Sequence, residues 1–232
     1  MKMKRFVLSP FFSPVAALIA LGGLIAFAYI LRALIGVYDT NENLVLEVGS
    51  YLGYMFSFIA FFVFAKDHLQ SPRKYSFCAV VFLWIITLLR EMGAQHWLTK
   101  TDTTAIKMRF FTNPNNPLSE KVTVFIILAI LIAVVSYLLV KHFRQMVTGF
   151  FKLKPFYWSL ATFGGLGIVT QFADRFPSRY VKWYGTELPE PVVFCSKLIE
   201  EAGEMLLPYL VVVMLWQCHL LIQRNEPISV VK

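Results

Sequence analysis

Three carboxylates lie close together late in the chain, where Glu200, Glu201 and Glu204 follow Lys197. On a helix, residues four positions apart share a face, so Glu200 and Glu204 would lie one turn apart and Lys197 would reach Glu201. Paired carboxylates can bind a divalent cation or share a proton. Acidic residues near the start of a helix also interact favourably with its dipole, without any ligand. Both interpretations stay open from the sequence.

A second charged stretch begins at Arg90 and Glu91 and extends to His96. It closes a long apolar segment, so its charges lie close to the depth of the hydrocarbon core. Charged groups at that depth are costly and usually face a polar cavity or an opposite charge. The stretch therefore predicts either one wall of a polar pocket that opens to the outside or an ion pair at the membrane interface.

Basic and bulky apolar residues alternate in residues 107–111, where Lys107 and Arg109 are the basic members. This pattern is typical of a short segment that lies on a membrane interface with its rings down and its charges out. Its cations can neutralise carboxylates or hold lipid phosphates. We predict that the charged groups of these segments line one pocket. The candidate pocket residues are Arg90, Glu91, His96, Lys107, Arg109, Asp174, Arg175, Glu200, Glu201 and Glu204.

Long apolar segments position these residues. The 232 residues are 57% hydrophobic and 16% charged, whereas about a quarter of the residues in a soluble domain are charged. Six stretches reach or approach the roughly 20 residues that a helix needs to cross a bilayer. The predicted spans are residues 11–36, 47–65, 75–93, 122–140, 155–172 and 204–222. They indicate an all-α fold, a polytopic membrane helix bundle that forms a single transmembrane domain over residues 1–232.

The second and fifth predicted spans are short and rich in small residues. Small residues let helix backbones approach each other closely in lipid. We therefore expect Gly49 and Gly53, and the glycines in residues 164–167, to lie in close helix contacts inside the bundle. Two long connections, residues 94–121 and 173–203, are predicted to lie on the outer side.

The charges are distributed unequally between the two sides of the predicted bundle. The connections on the side of the two termini carry 12 basic and 2 acidic residues, and the rest of the chain carries 10 basic and 12 acidic residues. Basic residues collect in the cytoplasmic connections of membrane proteins. The distribution predicts that both termini face the cytoplasm and that the pocket opens outside. The net charge of +8 is then a topology signal, and it does not indicate nucleic-acid binding, which requires a basic face.

The order of the charged segments resembles a pattern found in an uncharacterised family of small multi-pass bacterial inner-membrane proteins. The segments that carry the resemblance are residues 90–91, 107–111, 117–121 and 200–201. It extends over residues 75–220. The resemblance implies a bacterial source, a location in the inner (plasma) membrane, and one outer-face site formed by these charges. It implies no activity.

We expect a binding or assembly component that recognises a lipid headgroup, a small solute or a partner membrane protein, with no cofactor and no metal. One alternative is a membrane-embedded, hydrolase-like enzyme that modifies lipids, with Glu91 or Glu200 as the general base. Another is an ion-coupled transporter, although that class requires ionisable residues near mid-membrane, which these spans lack. The sequence contains no nucleophile, zinc or phosphate-loop motif that favours an enzyme.

Overall fold

The computed structural model describes residues 6–35, 44–69, 74–93 and 108–223. Within these ranges the chain is helical and contains no strand, so the predicted all-α fold is confirmed. The helices in chain order are α1 (Phe12–Ile35), α2 (Leu44–Leu69), α3 (Lys74–Glu91), α4 (Met108–Thr112), α5 (Leu118–Phe151), α6 (Pro155–Tyr184) and α7 (Glu190–Gln223).

Four helices of the described chain are long and apolar enough to cross a membrane. Their apolar segments are Phe12–Leu34, Leu46–Ala65, Leu118–Phe151 and Glu190–Gln223. These segments support the prediction of a membrane protein with transmembrane helices. The two other predicted spans are also helical, as α3 and α6. They are less apolar because α3 has charged residues at both ends and α6 contains several small polar residues.

The segment predicted as a long outer connection, residues 173–203, is mostly helical. Helix α6 continues through Pro177 to Tyr184, and α7 begins at Glu190. The chain reverses direction at Gly185, whose φ of 69° is the left-handed conformation that glycine adopts at helix ends. The sequence interpretation ended the helix where the apolar run ended, but a helix can continue in polar surroundings beyond an apolar segment.

The described contacts divide the chain into two compact units, and the first comprises Met1–Ala65 and Gln145–Lys232. Helix α7 is central to this unit, because half of its most apolar stretch is buried. The face of α7 with Leu198 and Ala202, both 0% exposed, packs with Ala28 of α1. This packing fixes the rotation of α7 about its axis and therefore the direction in which its charged residues point.

Small residues of α2 let it pack closely against α7. A Cβ atom on Gly49 would overlap the Met205 side chain, and one on Gly53 would lie 2.9 Å from Pro208 Cγ. The Tyr209 hydroxyl donates a hydrogen bond to the Gly49 carbonyl over 3.0 Å. The predicted close contact at Gly49 and Gly53 is therefore present, but much of α2 is exposed among the described residues, and its placement inside the bundle stays a prediction.

The glycines of α6 do not play the predicted role. A Cβ atom on Gly164, Gly165 or Gly167 would have no neighbour within 4 Å among the described residues, so the predicted close contact there was wrong. The close approach between α6 and α7 instead depends on Gly203 of α7, where a Cβ atom would overlap the Thr170 side chain. The small residue that the contact requires lies on the partner helix.

The second unit is Lys66–Arg144, which contains α3, α4 and most of α5. Phe110 of α4 is fully buried and packs with Val124 of α5. Asn116 holds this arrangement, since its side-chain Nδ2 donates to the Phe110 carbonyl over 2.7 Å. The Phe110 ring of α4 therefore packs against α5, and the placement of this segment on a membrane interface stays a prediction.

Candidate functional site

The acidic segment of α7 comprises Lys197, Glu200, Glu201 and Glu204. All four residues lie on one continuous helix and all are partly buried. The Glu201 carboxyl group interacts electrostatically with Lys197 and with Glu204. The helical placement predicted for these residues is confirmed, and it gathers three carboxylates and one ammonium group within about two helical turns.

One carboxylate oxygen of this segment is left without a donor. Glu201 Oε2 is buried and accepts no hydrogen bond from any residue that the structure describes. Its depth follows from its neighbours in sequence, because Leu198 and Ala202 anchor this part of α7 in the core. A buried carboxylate oxygen without a donor is unfavourable. The described residues therefore leave the Glu201 carboxyl group without a hydrogen-bond partner at Oε2.

The paired carboxylates do not form a metal site with other protein ligands in the described part of the chain. Across residues 6–35, 44–69, 74–93 and 108–223, no group of three or more His, Cys, Asp or Glu side chains is arranged to hold a metal ion. Both chemistries that the sequence offers for the paired carboxylates, binding a divalent cation and sharing a proton, stay predictions.

A clamp between α1 and α7 lies at the start of α7, before the acidic segment. Arg32 pairs with Glu190 at 2.5 Å between Nη2 and Oε1, and its guanidinium carbon lies 4.6 Å from the centre of the Phe194 ring. The Tyr29 ring contacts the same Phe194 ring edge to face, with centroids 5.2 Å apart. No spacing rule connects Arg32 with Glu190 and Phe194, so the sequence did not predict this clamp.

Arg90 and Glu91 form an ion pair at the end of α3, with 3.6 Å between Nη2 and Oε1. Both side chains are partly exposed, at 51% and 30%. This observation favours the ion-pair interpretation of the stretch. The two residues belong to the second unit, whereas the acidic segment belongs to the first. The single pocket that was to include both stays a prediction.

The remaining candidate residues are dispersed or not described. Asp174 and Arg175 lie on α6 and are exposed. The backbone of Arg109 lies in α4, but its side chain is outside the described part of the structure. His96 and Lys107 are outside the described residues altogether. The structure therefore brings together the α7 candidates, and the grouping of the other candidates with them in one pocket stays a prediction.

A buried chain of hydrogen bonds joins α1, α6 and α7, and sequence reasoning missed it. The hydroxyl groups of Ser13 and Ser159 are 2.5 Å apart, and Ser159 donates to Gln217 Oε1 over 2.7 Å. Gln217 Nε2 in turn donates to the Val7 carbonyl over 2.9 Å. All three side chains are almost completely buried. The available signal was a glutamine inside an apolar helix, which in a membrane segment usually has a specific partner.

No family model, curated protein or solved structure matches this chain. The resemblance to small bacterial inner-membrane proteins therefore stays a prediction.

Proposed function

We propose that the chain is a multi-pass protein of a bacterial inner (plasma) membrane, with six transmembrane helices and both termini in the cytoplasm. Four apolar helices and the unequal charge distribution support this topology. Within the second unit, a hydrogen bond between Ser76 and His142 brings the start of α3 beside the later part of α5. Lys74 is the first residue of α3 and Glu91 is its last, whereas in α5 Glu120 lies in the first turn and Lys141 lies in the later part of the helix, before its end at Phe151. The order of these charges along the two helices supports the proposed topology.

In this topology the acidic segment of α7 faces the outside. We infer that it is the core of an externally open binding site, in a protein that acts as a binding or assembly component. The observation that carries the proposal is the buried oxygen of Glu201, which has no donor among the described residues. A fold that needed this helix only for packing would be more stable with an apolar residue there.

The site would recognise a cationic group. Three carboxylates and one lysine leave the segment with an excess of negative charge, and Glu201 needs a donor rather than an acceptor. The amino group of a lipid headgroup, a small amine or a basic side chain of a partner membrane protein each offers a positive charge and several N–H donors. A hydrogen bond to a charged group contributes about 1.5–3 kcal/mol, which is roughly ten-fold or more in affinity.

The test compares Glu201→Gln with Glu187→Gln in the full-length chain. Glu187 is an exposed carboxylate of the same unit, outside α7. Native mass spectrometry of the purified protein would measure retention of phosphatidylethanolamine, and ethanolamine would be titrated as a competitor. We expect Glu201→Gln to weaken lipid retention about ten-fold and Glu187→Gln to leave it unchanged. Competition by ethanolamine would identify a soluble amine as a sufficient ligand.

Two results would contradict the proposal. If Glu201→Gln retained the lipid and bound ethanolamine as the unmodified protein does, this carboxylate would not be a binding group. If Glu201→Gln lost binding only together with its abundance in the membrane and its thermal stability, the segment would be structural. Photo-crosslinking from position 204 tests whether the cationic group belongs to a partner membrane protein. A crosslinked protein that disappears in Glu201→Gln would indicate a role in assembly.

A further inference from the structure

A second polar cluster lies in the second unit, where the start of α3 meets the later part of α5. Ser76 Oγ is 2.8 Å from His142 Nε2, and Lys141 Nζ donates to the Tyr137 hydroxyl over 2.6 Å. The Tyr137 hydroxyl also interacts with Ser76. Lys74 begins α3 two residues before Ser76. We call these five residues the basic end of α3 and α5.

The lysines of the basic end are held by neutral groups. Lys141 Nζ lies 5.0 Å from the centre of the Tyr137 ring, and Lys74 Nζ lies 5.1 Å from that of Tyr75. Among the side chains that the structure describes in this unit, the carboxylates are Glu91 and Glu120, at the far ends of α3 and α5. Contact with an aromatic ring orients an ammonium group without neutralising it. Among the described side chains, neither lysine therefore forms an ion pair.

The surroundings of the basic end are those of a membrane interface. Lys141 directly follows the long apolar part of α5, where Val140 is 86% exposed, and Phe143 beside it is 61% exposed. Tyr75 and Tyr137 are also exposed, at 66% and 39%. Tyrosine is enriched where hydrocarbon meets the headgroup layer. Cations and hydroxyl groups thus lie directly beside apolar surface that can contact acyl chains.

We propose that the basic end of α3 and α5 binds the phosphate of an anionic phospholipid headgroup. Lys141 and Lys74 would supply charge and N–H donors, and the Tyr137 hydroxyl, which is linked to Ser76 and through it to His142, would hold Lys141 in place. The adjacent apolar residues favour a lipid over free phosphate, since only a lipid can cover them. In the proposed topology this site lies toward the cytoplasmic side of α5, and no residue of the acidic segment of α7 belongs to it.

The experiment measures lipid binding to the full-length protein by native mass spectrometry. Phosphatidylglycerol is the probe, phosphatidylcholine is the zwitterionic comparison, and inorganic phosphate is added as a soluble competitor. Lys141→Gln is the main variant. Lys121→Gln is its matched control, because Lys121 lies on the same helix at the other end. A lysine near a membrane surface contributes about five-fold to the binding of anionic lipid, so we expect Lys141→Gln to lose about five-fold and Lys121→Gln to lose none.

A second variant, Tyr137→Phe, tests the geometry. It keeps the ring beside Lys141 and removes the hydroxyl group to which the lysine donates. Weaker phosphatidylglycerol binding with unchanged thermal stability would support a positioning role for this hydroxyl. Equal binding of phosphatidylglycerol and phosphatidylcholine would overturn the proposal, as would equal losses in Lys141→Gln and Lys121→Gln. Displacement of the lipid by inorganic phosphate at similar concentration would show that a free anion is the ligand and would also overturn it.

Discussion

Replacing Gln217 by leucine should destabilise the first unit, because the substitution removes the two hydrogen bonds that Gln217 makes with Ser159 and with the Val7 carbonyl. Leucine has a similar size and is apolar, so packing is largely retained. Ser159 loses its acceptor on Gln217, but its hydroxyl has another in the Pro155 carbonyl at 3.1 Å. The Val7 carbonyl, by contrast, is buried and loses the Gln217 donor. Leaving one buried acceptor unsatisfied costs about 1–3 kcal/mol. We therefore expect a loss of about 2 kcal/mol in the free energy of unfolding, or roughly 4–8 °C in Tm.

Thermal unfolding in detergent, followed with a thiol-reactive dye, would measure this loss. Cys218 is buried and would react as the helices separate, and the exposed Cys78 would be replaced by serine in every variant. Gln171→Leu is the matched control, because Gln171 is exposed on α6 of the same unit. Its effect should remain within about 0.5 kcal/mol. If Gln217→Leu and Gln171→Leu melted at the same temperature, the buried hydrogen bonds would contribute nothing and the reasoning would be refuted.

Two further predictions concern contacts of α7. Gly203→Ala should lower Tm because its methyl group would overlap Thr170, which costs about 1–3 kcal/mol as overpacking. Gly165→Ala has open space and should leave Tm unchanged or raise it through helix propensity; the reverse order of the two variants would show that α6 and α7 pack differently. A double-mutant cycle with Arg32→Gln and Glu190→Gln should give a coupling of about 0.2–1 kcal/mol that weakens with added salt, since Glu190 is 81% exposed. A larger, salt-insensitive coupling would contradict the exposed geometry.

The helices and their approximate places could be predicted from the sequence because apolar length is a local property. All six predicted spans correspond to helices, and the small residues Gly49 and Gly53 correctly indicated a close contact. The glycines of α6 were misleading. A glycine permits a close approach to its backbone, but a contact forms only where a side chain of another helix lies against it. Between α6 and α7 the glycine that is approached is Gly203 of α7, and the side chain that approaches it is Thr170 of α6.

The polar contacts could be predicted only in part. The acidic segment could be predicted because Glu200, Glu201 and Glu204 are close in sequence, and the periodicity of a helix alone determines how such residues lie relative to each other. The series of hydrogen bonds from Ser13 through Ser159 to Gln217 could not be predicted, because its members are separated by 146 and 58 residues in sequence. Residues so far apart meet through tertiary packing, which one sequence without homologues does not specify.

The most direct measurement of the central claim is cysteine labelling in intact cells with a membrane-impermeant maleimide. Single cysteines would be placed in a background without Cys78, Cys195 and Cys218. Asn115 and Lys152 are exposed positions beyond the two ends of α5, and Glu187 is exposed next to the start of α7. Each of these three residues would be replaced by cysteine in a separate variant.

The proposed topology predicts that Asn115→Cys and Glu187→Cys are labelled from outside and that Lys152→Cys is labelled only after the cells are permeabilised. Labelling of Lys152→Cys in intact cells, with Asn115→Cys and Glu187→Cys protected, would place the acidic segment of α7 in the cytoplasm and contradict the account.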